Sequence, residues 1–171
     1  MCVGKSTIGK RLSSLLAMNF VDTDKLIEEK ESLPISEIFS KYGENYFRGL
    51  EEKHILNLLK KAKSNEIISL GGGSLISNKV RLAIKNENVV TIWLNLDIRT
   101  IFTRLNKSPQ ERPVANRLNS HEKIKILFNK RIDYYKDANL EIKINQLSKN
   151  QVISLIYDKL ISYLENRNEK N

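Results

Sequence analysis

Four groups of residues in this chain have types and spacing suited to chemistry. Gly4-Lys5-Ser6-Thr7 is the second half of a G-x-x-x-x-G-K-[ST] loop. Such a loop opens a helix, whose free N–H groups and dipole attract phosphate. Lys5 adds a point charge near the β- and γ-phosphates, and the Ser6 hydroxyl can ligate Mg²⁺. Asp22-Thr23-Asp24 carries two carboxylates two positions apart. One can hold Mg²⁺ through water, and the other can orient a hydroxyl and accept its proton. Gly71-Gly72-Gly73 exposes backbone N–H groups and lets a ligand approach closely. Arg48, Arg104, Arg112 and Arg131 are the last group, in a chain where lysine outnumbers arginine. Arginine suits planar, two-pronged recognition of carboxylate or phosphate. Glu51 stands at i+3 from Arg48, placed to orient it. Together these groups suggest a pocket for an anionic acceptor and a positive lid over ATP.

These side chains need a frame. Ile8, Leu12, Leu15 and Leu16 mark one apolar face of a first helix. Strand-like and helical stretches then alternate, which argues for a parallel α/β sheet. Strands are expected at 19–22, 66–70, 89–96 and 140–144. Helices are expected at 25–31, 35–41, 45–62, 79–85, 97–105, 121–137 and 150–166, with Asp97 as an N-cap. Residues 106–120 are polar, contain Pro109 and Pro113, and lack periodicity, so they read as a mobile lid. The three ligand-binding candidates fall at carboxyl ends of strands, where open α/β sheets bind ligands.

At 171 residues a single domain spanning the chain is expected. Hydrophobic content of 40% fits a globular core. No apolar run approaches the roughly 18 residues of a membrane span, and Lys5 interrupts any apolar leader. Cys2 is the only cysteine, which suits a reducing cytoplasm. The net charge of +9 is scattered among glutamates rather than gathered into a stripe, so no nucleic-acid partner is expected. His54 and His121 lack metal or triad spacing, Trp93 reads as core, and Tyr134-Tyr135 reads as packing.

In order along the chain, "GKSTIG", "VDTD", "YFRGLE", "SLGGGS", "ERP" and "KRIDYY" resemble the motifs of shikimate kinase, a small P-loop kinase family. Two departures are Val114-Ala115, where the family usually has two leucines, and Asp133, where a proline is common. The resemblance implies an α/β three-layer sandwich with a central parallel sheet of order 2-3-1-4-5. It implies ATP with Mg²⁺ and shikimate as ligands, a monomer, and transfer of the γ-phosphoryl group to the 3-hydroxyl. By resemblance Lys5 holds the β/γ-phosphates, and Cys2, Val3, Gly4 and Thr7 complete the nucleotide loop. Ser6 ligates Mg²⁺, and Asp22 reaches it through water. Asp24 grips ring hydroxyls and acts as base. Arg48 and Arg131 clamp the carboxylate beside Gly71, Gly72 and Gly73. Arg112 closes with the lid, and Arg104 helps at the nucleotide. A gluconate-type kinase and a non-catalytic nucleotide-binding remnant are the alternatives. The first loop glycine and the strand before it would lie upstream of Met1. That strand, the central one in the family order, would pair with both 66–70 and 89–96. The expectation is an upstream extension holding an apolar strand of roughly four to six residues and a glycine two positions before Met1. Without it the chain is not expected to fold to an active monomer.

Overall fold

The first helix, α1 (Lys5–Leu15), begins where Gly4 adopts a left-handed conformation, φ 88° and ψ 21°. Glycine enters that region without a Cβ penalty. The computed structural model describes residues 3–61, 65–86, 88–107 and 121–169. Ile8 and Leu12 are buried, as their i, i+4 spacing requires. Leu15, assigned to the same face by spacing, is instead 56% exposed, and Leu16 packs on the core. On the other side of the helix, Gly9 faces strand β1 (Asn19–Asp22). A Cβ at Gly9 would lie 2.5 Å from Phe20 Cε2, so the bare backbone lets helix and strand come close.

Helix α2 (Thr23–Glu31) starts earlier than the Lys25 expected, because Asp22 supplies the cap: its carboxylate accepts from the Asp24 N–H at 3.1 Å. In α3 (Ile35–Lys61) two helical segments meet at Gly43, where φ is 82° and ψ 173°. The break lies between the two helices expected there. Then follow β2 (Glu66–Ser69), a 3₁₀ turn at Ser74–Ile76, α4 (Asn78–Ile84), β3 (Ile92–Asn95) and α5 (Ile98–Asn106). The chain closes with α6 (His121–Lys136), β4 (Leu140–Lys143) and α7 (Lys149–Asn168). Asp97 caps α5 as expected, accepting from the Thr100 N–H at 2.8 Å. Ser148 and Gln151 form a capping box at α7. β3 is shorter than the expected 89–96, and the 3₁₀ turn has no counterpart in the periodicity.

Strands β1 and β2 pair in parallel, from Asn19↔Glu66 to Asp22↔Ser69. β3 and β4 pair in parallel, from Ile92↔Leu140 to Asn95↔Lys143. Each pair is joined through helices, as parallel strands must be. Among the described residues the two pairs are separate sheets, with no strand between β2 and β3. They match the 2-3 and 4-5 ends of the expected order. No helix among the described residues is long and apolar enough to cross a membrane.

Two apolar clusters form beneath this frame. The larger joins Ile8 and Leu12 of α1 with Ile142 of β4, Ile124 of α6, and Val152 and Ile156 of α7. The smaller joins Ile27 of α2 with Ile38, Phe39 and Phe47 of α3. The Phe39 and Phe47 rings lie 4.7 Å apart. Ile142 has no exposed surface. Ile142→Ala should lower stability by about 2–5 kcal/mol in urea unfolding, the range for truncating a buried isoleucine. A change below about 0.5 kcal/mol would mean the larger cluster can close over the gap.

Candidate active site

The phosphate half of the site begins at the α1 N-terminus. No side chain caps this helix and no acidic residue stands in its first turn. Its positive end is therefore available to an anion. The Ser6 hydroxyl donates to an Asp22 carboxylate oxygen. This bond ties the loop to the carboxyl end of β1 and puts a hydroxyl and a carboxylate side by side. Both are hard oxygen donors, the kind that suits Mg²⁺. Among the described residues no three or more His, Cys, Asp or Glu side chains cluster to hold a metal. Mg²⁺ needs no such cage, since it usually takes one or two protein ligands plus substrate phosphates.

Next to this pair lies Asp24. It keeps one side open to solvent, but its carboxyl is crowded by protein. Burial raises its pKa above the ordinary 3.8, and the carboxylates of Asp22, Glu51 and Glu28 raise it further; Lys5 pulls it down. A carboxylate with a raised pKa is a stronger base than a free aspartate.

The glycine loop forms the opposite wall. Glu51, on α3, is only 2% exposed. It accepts from Arg48 Nη1 at 2.6 Å and from the Ser74 hydroxyl at 2.8 Å. Arg48 Nη2 donates to Glu44 Oε1 at 3.2 Å. This ion-paired cluster leaves no room for side chains on the loop. A Cβ at Gly71 would lie 2.6 Å from Glu51 Oε1 and 2.9 Å from Asp24 Oδ1. One at Gly73 would lie 2.5 Å from Arg48 Nη1. The Gly72 carbonyl accepts from the Tyr135 hydroxyl at 2.6 Å.

Arg131 enters from α6, one helical turn before Tyr135, and is 5% exposed. Burial lowers its pKa from the ordinary arginine value; Tyr135 opposes the fall, while Arg48 adds to it. Burial raises the Tyr135 pKa, against the pull of Arg131 and Arg48. The Nε atoms of both Arg48 and Arg131 are buried without a hydrogen-bond partner among the described residues. Two cations in electrostatic contact, each with an unmatched buried donor, concentrate positive charge that an anion would offset. Arg81 steadies the α6 side. It donates to the Leu75 and Ile76 carbonyls at 2.7 and 2.9 Å, and its guanidinium lies 4.4 Å from the Tyr134 ring centre.

Lys5, Ser6, Asp22, Asp24, Arg48, the glycine triplet and Arg131 are thus linked by contact or by charge. Arg104 lies in the exposed last turn of α5. Gly4 and Thr7 are exposed at the start of α1, and Val3 is buried in the larger cluster. Cys2, Arg112 and residues 108–120 of the expected lid lie outside the described residues. Tyr135 is a correction: it does more than pack, because its hydroxyl holds the glycine loop. Its i+4 spacing from Arg131 was the available signal. Ser74 carried only a weak one, as the hydroxyl next to three glycines. His54 pairs with Glu31 at 3.0 Å, away from these residues. Trp93 is partly buried, its ring 6.0 Å from that of Tyr135.

The shikimate kinase family matches residues 1–161. A shikimate kinase of Bartonella henselae is 36% identical over all of this chain and 80% of its own length. One from a Sulfurihydrogenibium species is 40% identical over 92% of this chain and 91% of its own. The solved structure of the Acinetobacter baumannii shikimate kinase in complex with shikimate superposes with a TM-score of 0.85. It is 27% identical, and the match covers 95% of this chain and 89% of that one.

The crowding around Asp24 has a measurable consequence for stability. Its folded-state pKa is raised, so the folded protein binds this proton more tightly than the unfolded chain does. The Asp24 carboxylate therefore detracts from stability as pH rises from about 3.8 through the raised value. Asp24→Asn should melt at a higher temperature than the parent protein at neutral pH. That difference should shrink towards nothing as the pH is lowered through this window. A parallel displacement of both melting curves at every pH would show that Asp24 bears no such strain.

Proposed function

The chain belongs to the shikimate kinase family, and on that premise we propose that its site transfers the γ-phosphoryl group of ATP to the 3-hydroxyl of shikimate. The shikimate oxygen forms a bond to the γ-phosphorus, the bond from that phosphorus to the bridging oxygen breaks, and ADP leaves. The proton of the 3-hydroxyl passes to Asp24. One observation carries the choice of acceptor: Arg48 and Arg131, two cations in electrostatic contact, each keep an Nε donor without a partner among the described residues. A carboxylate supplies the acceptors both lack, and shikimate presents one on the ring that bears the reacting hydroxyl.

Lys5 and the α1 N-terminus hold the β/γ-phosphates, with Gly4 and Thr7 contributing from the loop. Ser6 and Asp22 would hold Mg²⁺, which when bound draws charge from the phosphate oxygens. Arg48 and Arg131 grip the carboxylate, and the Gly71–Gly73 backbone lines the acceptor side. Arg112 is assigned to stabilise charge on the transferring group, Arg104 to assist at the nucleotide, and Cys2 and Val3 to line the loop; these roles rest on the family resemblance. Asp24 accepts its proton readily because its crowded setting raises its affinity for one. The reaction needs little beyond positioning, charge stabilisation and exclusion of water. The protein is taken to work as a cytoplasmic monomer, with residues 1–171 belonging to one kinase domain.

ATP consumption in a coupled assay, with shikimate and gluconate side by side, tests the reading. Turnover is expected with shikimate alone; preference for gluconate, or none for either, would overturn it. Arg48→Ala should weaken shikimate by about 2–4 kcal/mol, roughly 30- to 800-fold in KM, with the KM for ATP little changed. An equal loss for ATP would remove Arg48 from the acceptor pocket. Asp24→Asn should lower kcat by ~10²–10⁴, the range for loss of a general base, while shikimate still binds. The acid limb of kcat against pH should lie above the ordinary aspartate value in the parent protein and be absent from the variant.

A further inference from the structure

We infer that Thr23 is a positioning residue for the transfer, its buried hydroxyl fixing the glycine loop against the turn that carries Asp24. The kinetic part of this inference rests on the reading above. Thr23 is fully buried between two acidic neighbours. Its hydroxyl donates to the Ser69 carbonyl at 3.1 Å and accepts from the Gly71 N–H at 3.1 Å. Both bonds go to one segment, the end of β2 and the first glycine after it.

The location explains the need. The β1–β2 ladder ends at the pair Asp22↔Ser69. Beyond that pair one chain turns into α2 and the other runs into the glycine loop, so the backbones no longer pair. The Thr23 side chain supplies the next rung. It is not spent on starting the helix, because Asp22 caps α2. Nor is it a simple filler, since a wholly buried hydroxyl that uses both its donor and its acceptor is tied at two points. The consequence is geometric. Asp24 Oδ1 stands 2.9 Å from where a Gly71 Cβ would be. The base and the acceptor loop are in contact range, and Thr23 is the residue that sets their separation from below. A valine would fill the same volume but leave the Gly71 N–H and the Ser69 carbonyl without a partner, and unmet buried groups drive the segment to move.

The test compares Thr23→Val with Thr23→Ser, which loses only the methyl group. In the valine variant kcat/KM for shikimate should fall about 10- to 100-fold, with the KM for ATP within about two-fold. The serine variant should recover most of the loss. The second measurement does not depend on turnover. Exchange of the Gly71 amide proton, followed by NMR, should be at least about ten-fold faster in the valine variant and near the parent rate in the serine variant. If the valine variant does not fold, Thr23→Cys takes its place under the same expectations, because a thiol is a weak donor and acceptor. Parent-like Gly71 exchange in the variant without the hydroxyl would overturn the inference. So would a serine variant as impaired as the valine one, or an ATP defect equal to the shikimate defect. If the parent protein ignores shikimate, the substrate reading fails, and the exchange comparison still decides the role of Thr23.

Discussion

A single buried carboxylate sets the shape of the acceptor side. Glu51 has almost no contact with solvent, and a buried charge must be paired and hydrogen-bonded to be tolerated. It takes Arg48 on one oxygen and Ser74 on the other. To reach both, it lies against the backbone of the loop, and that approach excludes a side chain at Gly71. Arg48, drawn in by Glu51, excludes one at Gly73 in turn. The glycine triplet is thus a response to charge pairing as much as a device for ligand access. With its Nη atoms committed to Glu51 and Glu44, Arg48 is held so that its Nε is buried and unmatched.

Charge is distributed along the site in a definite order. At one end, the α1 N-terminus carries Lys5 and Ser6, and the Ser6 hydroxyl donates to Asp22. Asp24 sits in the middle, where burial first and then the neighbouring carboxylates keep its affinity for a proton high. At the far end two arginines repel each other, and each keeps an Nε without a partner among the described residues. The arginine end has unmatched donors among the described residues, and the middle holds a proton tightly.

Much of this was legible beforehand, for identifiable reasons. The chemistry-bearing groups were visible because each has a strict local form: a helix-opening GKST, two aspartates around one residue, three glycines, and an arginine with a glutamate at i+3. The break in α3 was visible because Gly43 sits between two helical patterns. What escaped notice depended on distance along the chain. Tyr135 reads as one aromatic residue among several until α6 is placed beside a carbonyl 63 positions away. Thr23 looks like a spacer between two acids until β2 is set beside β1. Leu15 followed the apolar spacing but stands exposed, while its neighbour Leu16 packs on the core. The short 3₁₀ turn at Ser74–Ile76 arises from local carbonyl contacts, such as the Ser74 N–H donating to Gly71 at 3.2 Å, and leaves no periodic trace.

The presence of two apolar clusters gives the site a mechanical character. The phosphate loop rides on α1, anchored in the larger cluster by Ile8 and Leu12. Arg48 and Glu51 follow directly from Phe47, which belongs to the smaller one. The two clusters are joined by packing, where Gly9 of α1 meets Phe20 of β1 and Ile67 of β2 lies on the larger cluster, and by polar links: the Thr23 hydroxyl, the Glu51–Ser74 bond and the Ser6–Asp22 bond. Such links can be rearranged with little loss of buried apolar area. A ligand that touches both groups of residues favours one arrangement of these links only to the extent that it binds that arrangement better. In engineering terms, the rigid parts carry the load and the hydroxyls are the joints.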